Sequence, residues 1–450
     1  MQQKNQLLRV LGVVFGLAAV VGSMIGQGIL RSPGVVAEAT SSPAVIIALW
    51  LLAAGIACLN ALVFAELGAA IPRAGGHYAF IHRAFGGKVS LLAAFAVLIG
   101  LFSAMAYLSF VVGEFLVRLG VGGGELSPAV LALGALALFA AINATGTVIS
   151  GFSQIVLSMV KGAVLVGLVV VLFAAPAAAP PPDNTLDGGL LRNGWLPLGT
   201  ALVVVLSTYG GWWNVVFYGE EIKDPGRAVP RALFGGILSV AALYIVINLA
   251  FLHVLTPDKM AGSNLVAADA AGVVFGPRGD FLLTCFGVLS VGAVANLNLM
   301  STTRLTFAVA RAGILPRSFS VVGRRGTPLR AMMLVVVAAA LMIVSGSYLT
   351  LISLSESVFL PVMLGIAFAV LALRRKEPHL PRPFKVPWYP WPVYASIVVQ
   401  LALLVVYIAQ NPFYALSGFV LVGAMWAVFQ LVARMRGGTG IAGAEVEDLE

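Results

Sequence analysis

The sequence predicts an all-α integral membrane protein of twelve transmembrane helices. They are arranged as a five-plus-five inverted repeat in which helices 1 and 6 are discontinuous. Three observations carry this expectation. Sixty per cent of the 450 residues are hydrophobic and 10% are charged, with a mean hydropathy of +1.01; a soluble domain carries about 25% charged residues. The apolar residues gather into runs near the roughly 20 residues that cross a hydrocarbon core. Two runs are interrupted by glycine and small polar residues at matching places in two halves of the chain.

The runs, in order, are 11–36, 43–66, 89–118, 128–145, 150–174, 197–220, 232–255, 280–303, 329–345, 349–373, 391–410 and 413–433. The first is too long for a signal-peptide core, lacks a small-residue cleavage site and continues into Arg31-Ser32-Pro33, so it reads as a retained span. Spans 1–5 form one unit, 10–174, and spans 6–10 a second, 195–373, each opening with an interrupted span. Five is odd, so the second unit starts from the opposite side of the membrane and the two are inverted. The Pro-rich stretch 175–182 and the polar stretch 183–194 join them. A stiff connection at 378–392 follows Arg374-Arg375-Lys376 and leads to two additional helices within 389–434. The tail 437–450, glycine-rich and then acidic, reads as flexible. All of it belongs to one transmembrane domain, 1–450.

The net charge of +9 comes from 27 Lys and Arg against 18 Asp and Glu. Their distribution, not their number, is informative. Setting aside Lys161 and Arg304, only Arg31, Arg118, Arg192, Lys259 and Arg278 fall on the side opposite the N-terminus. The positive-inside rule therefore places both termini of this multi-pass chain in the cytoplasm. It accounts for the basic balance with a lipid bilayer as partner and no nucleic acid. Cys58 and Cys285 sit in apolar runs, so no disulfide framework is indicated. His77, His82, His253 and His379 are scattered, and no metal site or cofactor is expected. A membrane enzyme would need His, Asp or Glu clustered at one depth, and the sequence shows no such cluster.

The first interruption reads Val20-Val21-Gly22-Ser23-Met24-Ile25-Gly26-Gln27-Gly28-Ile29-Leu30, and the second Val205-Leu206-Ser207-Thr208-Tyr209-Gly210-Gly211-Trp212-Trp213-Asn214. Unpaired backbone in lipid costs several kcal/mol per group, so such breaks persist only where they line a cavity. A half-helix beginning near Gln27 aims free N–H groups and a positive partial charge at the break, which suits a carboxylate. A half-helix ending near Gly22 offers free carbonyls, which suit an ammonium group. The pair of breaks, with Ser23 and Thr208, describes a site for a zwitterion between repeats. Glycines at 26, 28, 210 and 211 allow the backbone itself to be the ligand.

Lys161 interrupts span 5 about 16 Å from its inner end, at 1.5 Å per residue, close to the midplane. A lysine there costs about 2.5–3.5 kcal/mol on insertion scales and needs a partner or a task. Two roles fit: a fixed cation standing in for a sodium ion, or a proton carrier. A third is purely structural, hydrogen bonding to the carbonyls of a broken helix.

These residues resemble the amino acid–polyamine–organocation transporters, most closely the bacterial branch like the L-type amino acid transporters. The likeness covers roughly spans 1–10. It rests on Gly22–Ile29, on Ala65-Glu66-Leu67-Gly68 with Ile71-Pro72-Arg73-Ala74-Gly75-Gly76-His77-Tyr78, and on Gly210-Gly211-Trp212-Trp213-Asn214. It rests further on Glu220-Glu221-Ile222-Lys223-Asp224-Pro225, Pro230-Arg231-Ala232, and Arg304 followed by Ala310-Arg311-Ala312-Gly313-Ile314-Leu315-Pro316. The resemblance implies that Ser23, Gly26, Gln27 and Gly28, with Met24 and Ile25 between them, hold the substrate carboxylate. It implies that Ser207, Thr208, Tyr209 and Gly210 receive the amino group. Lys161 and Ser290 fall where ion-coupled relatives bind sodium, and Tyr244 matches a tyrosine linked to the span 1 break. Ser207 departs from an aromatic gate usual in relatives, which leaves Tyr209 to serve instead or the site roomier.

The resemblance implies sodium-independent exchange of neutral amino acids; the alternatives are a proton-coupled symporter or an exchanger of cationic amino acids. The mammalian branch ties a heavy chain through a cysteine before span 4, and residues 119–127 contain none. A bacterial inner-membrane protein, monomer or homo-oligomer without a disulfide-linked heavy chain, is therefore expected. Glu356 in span 10 reads as a mouth residue that could attract a cationic side chain. Glu114 and Arg118, four apart, are expected to pair, and Met105, Ala106 and Tyr107 are candidate pocket-lining or packing residues.

Overall fold

Backbone amides in hydrocarbon must pair within their own segment or in a closed sheet. The chain uses helices: the described residues contain only two isolated bridges between extended residues, Leu11 with Ile222 and Ala74 with Tyr218. The computed structural model describes residues 7–26, 28–178, 195–263, 265–346 and 348–435. Gln27, most of the connection expected at 175–194 and the tail 437–450 lie outside the described residues.

The helices are α1 (Val13–Met24), α2 (Gly28–Ala39), α3 (Pro43–Ala70), α4 (His77–Phe85), α5 (Gly87–Arg118), α6 (Pro128–Ala144), α7 (Thr147–Ala174) and α8 (Trp195–Thr208). A 3₁₀ segment, Trp212–Phe217, separates these from α9 (Pro225–Val254), α10 (Pro257–Ala261), α11 (Val266–Phe275), α12 (Arg278–Arg311), α13 (Leu329–Ser345), α14 (Tyr348–Lys376), α15 (Trp391–Gln410) and α16 (Pro412–Met435). Three starts share one local cause. Ser42, Ser127 and Thr256 cap the first turn through their side-chain oxygens, and Pro43, Pro128 and Pro257 follow at the position where a missing N–H is harmless.

Among the described residues, nine helical runs are long and apolar enough to cross a bilayer, and ten if α1 and α2 form one bent span. The spans expected at 128–145 and 329–345 are apolar helices of 17 residues each, shorter than the rest. Their outward faces carry the apolar surface lipid requires: Leu341 is 66% and Val344 73% exposed.

The interior has two principal cores. One joins α1, α3, α8 and α9 around Trp50, Tyr209 and Tyr244. The other lies between α5, α6, α12 and α13 around Met105, Leu136 and Leu299. Helix α7 packs against α1, α9 and α12, between the two groups.

The end that carries the basic loops is tied by ion pairs. Arg304 on α12 makes a two-pronged pair with Glu221 (2.8 and 3.0 Å), and both side chains are buried; Thr147 accepts from the same guanidinium at 3.1 Å. Arg311 pairs with Glu220, and Arg374 with Glu66. At the other end, the expected Glu114–Arg118 pair is replaced: Arg118 turns to Asp280 at the start of α12. The carboxylate of a neighbouring helix outcompetes the one on the same helix.

Candidate functional site

Both interrupted segments break where the glycines stand. Helix α1 ends at Met24, Ile25 is extended, and α2 restarts at Gly28 with its axis turned by 45°. Helix α8 ends at Thr208, a turn covers 209–211, and the 3₁₀ segment begins at Trp212. The breaks touch. The Ser23 hydroxyl lies 2.8 Å from the Gly211 carbonyl and within reach of Ala19 and Val20 carbonyls, so one proton is shared among three acceptors. Gly211 has φ +95°, and a Cβ there would lie 3.0 Å from that of Ser23, so glycine is required twice over.

The second contact sits one turn away. Thr208 donates to Val204 (2.9 Å), so its oxygen is free to accept from Ser32 at 2.6 Å. A Cβ at Gly28 would meet Thr208 at 2.7 Å. The first turn of α2 and the last of α8 therefore lie side by side, with the unpaired N–H groups of α2 directed at the break.

Lys161 lies under the first break. Fully buried, its ammonium donates to the carbonyls of Gly22, Ile25 (2.6 Å) and Ser290 (3.4 Å). Ser290 also donates its hydroxyl to Ile25 at 3.0 Å. Three carbonyl dipoles take the place of water around an ammonium that has three protons to give; no carboxylate pairs with it among the described residues. Tyr244 on α9 donates to the Met24 carbonyl at 2.7 Å and lies 3.5 Å from that of Thr208.

This changes one expectation. The carbonyls at the end of α1 were expected to be free for a ligand's ammonium group, yet those of Gly22, Met24 and Ile25 are occupied by Lys161, Tyr244 and Ser290. The side chains of Ser23, Met24, Ile25, Thr208 and Tyr209 are buried. Gly26, Gly28 and Gly210 are half-buried, and Ser207, in the last turn of α8 before the break, is exposed. A Cβ at Gly26 would find no side chain nearer than Val294, at 3.8 Å. Gln27 lies outside the described residues.

Tyr209 is buried beside the second break. Its ring packs against Trp50 and Tyr244, with centroids 5.9 and 5.2 Å away, on the side of α3 and α9. Trp213 lies beside Gly210, and its ring centroid is 6.1 Å from that of Phe359 on α14. Glu356, the expected mouth residue, is half-buried on α14.

Sequence reasoning passed over a buried amide chain next to Lys161. Asn143 donates to Asn296 (2.8 Å), Asn296 to Gln154 (3.2 Å), Gln154 to Ser158 (3.3 Å), and Ser158 to the Ala18 carbonyl (2.8 Å). It links α6, α12 and α7 to α1. The available signal was Ser150, Gln154, Ser158 and Lys161 at helical spacing on one face of span 5. Gly22 lets α1 reach this face, since a Cβ there would lie 2.2 Å from the Ser158 hydroxyl.

Residues 11–433 match the family model described as amino acid permease. The chain is similar to the serine/threonine exchanger SteT of Bacillus subtilis (strain 168), with 27% identity over 395 residues, 86% of this chain and 89% of that protein. It is similar to the Asc-type amino acid transporter 1 of Mus musculus, 28% over 399 residues, covering 85% and 74%. With the b(0,+)-type amino acid transporter 1 of Homo sapiens it shares 27% over 420 residues, covering 91% and 83%.

Proposed function

Since the chain belongs to the amino acid permease family, and is a membrane transporter rather than an enzyme, we propose that it exchanges neutral amino acids across the plasma membrane by alternating access, without sodium. The two units 10–174 and 195–373 act as inverted repeats, with both termini in the cytoplasm. The substrate lies between the breaks. Its carboxylate meets the N–H groups at Gly26–Gly28 that begin α2, and its ammonium meets the backbone of 207–210. Ser23, Met24 and Ile25 shape the first break from behind, and Thr208 and Tyr209 the second.

The observation that carries the reading is the ammonium of Lys161 among three carbonyls that join the first break to α12. In this reading the Lys161 side chain takes the place an inorganic cation would hold in ion-coupled relatives, and Ser290 and Tyr244 bond to the same stretch of backbone. Exchange is supported by the name of SteT, a serine/threonine exchanger. A small neutral substrate fits the crowding around Gly28, Gly210 and Trp213. The absence of cysteine from 119–127 agrees with a carrier that has no disulfide-linked heavy chain.

The test is uptake of radiolabelled serine, alanine and threonine into proteoliposomes. Flux should require amino acid inside the vesicle and should not change when sodium is replaced by choline. Lys161→Met should lower flux at least tenfold while the protein still purifies as a single species, because each lost charge-assisted hydrogen bond is worth about 1.5–3 kcal/mol. A strict sodium requirement, or no flux in loaded vesicles, would overturn the reading.

A further inference from the structure

The connection between α14 and α15 uses its charges unevenly. Arg374 donates to Glu66 at 2.8 and 2.6 Å and lies 4.5 Å over the Tyr389 ring. Arg382 stands 3.3 Å from the same Glu66 and donates to the carbonyls of Leu373, Glu377 and Leu380. Glu377 is taken by Arg83 at 2.7 Å. These contacts build a rigid floor. Arg375 and Lys385 are exposed above it, and among the described residues neither makes an ion pair or hydrogen bond. With His379 they line a cleft of about 700 Å³ over Arg374, Arg382 and Tyr389.

A second cleft, of about 550 Å³, is lined by Phe85, Val89, Phe368, Leu371 and Tyr394 and shares Arg375 with the first. Its character is opposite: it is apolar, and Val89, Phe368 and Tyr394 are 47%, 44% and 41% exposed on the flank of the bundle. Beside the clefts Trp388 is 84% and Trp391 73% exposed. Trp388 holds φ +49°, a conformation a bulky side chain adopts at a cost. Exposed tryptophans at a span end mark the level of lipid headgroups.

We propose that this pair of clefts binds one anionic glycerophospholipid. Its phosphate rests between Arg375 and Lys385, and an acyl chain lies in the groove of Phe85, Val89, Phe368 and Leu371. The charge of the first cleft fits a phosphodiester, and basic pockets at span ends on the cytoplasmic side bind such headgroups. The apolar groove entered past Arg375 selects a lipid over a free phosphate, which has no use for it. The acidic tail of the chain, with Glu445, Glu447, Asp448 and Glu450, could offer charge to the first cleft but has few apolar residues for the second. The site does not depend on which cargo the protein carries, so its failure and that of the exchange reading are separate.

The experiment counts lipid bound to the full-length protein in neutral detergent by native mass spectrometry. Dioleoyl phosphatidylglycerol should be retained at one molecule per chain and dioleoyl phosphatidylcholine should not. Arg375→Ala with Lys385→Ala should weaken retention about 30-fold, at roughly 1 kcal/mol per cation. Arg317→Ala with Arg324→Ala removes the same charge from exposed residues of another loop and should change nothing. Gly365 also lines the groove, so Gly365→Leu should fill it and lose the lipid; if that variant does not fold, Phe368→Ala should weaken retention in its place. Four results would each overturn the proposal: equal loss in both double variants, equal retention of phosphatidylcholine, displacement by inorganic phosphate alone, or an at least tenfold gain on deleting 437–450, which would make the tail the resident occupant.

Discussion

Single residues announced themselves where they broke a rule of their surroundings. Lys161 was legible because a lysine in the middle of an apolar span demands an explanation, and the glycines at 26, 28, 210 and 211 because they interrupt two spans at once. His77 gave no such signal. It lies on α4, outside the spans, and its environment is assembled from distant segments: its ring stacks 4.7 Å from Phe217 and meets Phe64 and Phe359 edge-on at 5.3 and 6.0 Å. Neither ring nitrogen has a partner among the described residues, and burial pushes the pKa down from 6.5 to about 3. The unfolded chain takes up a proton that the folded chain refuses. The stabilising effect of keeping this ring neutral is therefore complete above pH 6.5 and is lost as pH falls from there toward 3. At pH 5 the loss is about 2 kcal/mol. His77→Phe should flatten the fall in melting temperature between pH 7.5 and pH 5 relative to wild type. Parallel curves would show that the ring titrates normally.

At the scale of elements, the sequence located both breaks to within a few residues, because glycine and small polar residues cannot hold a helix in lipid without a reason. It did not reveal what the breaks touch. Ser23 meeting Gly211, Ser32 meeting Thr208, and the occupied carbonyls of α1 all depend on which helices become neighbours, and hydropathy carries no information about that. The Glu114–Arg118 expectation failed for the same reason: a local rule was overruled by Asp280 from α12. Gly211→Ala tests how tightly the breaks depend on each other. The added methyl must accept φ +95° and stand 3.0 Å from the Ser23 Cβ, so stability should fall by about 2 kcal/mol with loss of amino acid flux. Gly55→Ala, where a Cβ meets nothing within 4 Å, should stay within about 0.5 kcal/mol of wild type. Thermal melts in one detergent compare the two, and equal effects would remove the special status of the break.

For the whole molecule, composition alone established the membrane as solvent, and the loop charges proposed an orientation. What they left unread was that the basic loops do more than mark a side. Glu221 with Arg304 ties the exit of the second break to α12 and, through Thr147, to α7. Glu66 gathers α14 and the loop beyond it. The opposite end has Arg118 with Asp280, both half exposed. Buried pairs and exposed pairs respond differently to loss of one partner. Glu221→Gln should destabilise the protein by about 3–5 kcal/mol, because Arg304 is then left buried without a counter-charge. Asp280→Asn should cost less than about 1 kcal/mol. Replacing Glu221 and Arg304 together with Gln and Met should recover much of the loss. A Glu221→Gln protein as stable as wild type would mean that water reaches Arg304 in the folded state.

The cradle around Lys161 has an outcome for physiology. If the Lys161 charge stays with the protein and the cargo is neutral, no net charge crosses the membrane in a complete exchange cycle. Under the exchange reading, neither depolarising the cell nor dissipating its sodium gradient would turn the traffic around. Only the relative sizes of the amino acid pools on the two faces would decide which way the cargo moves.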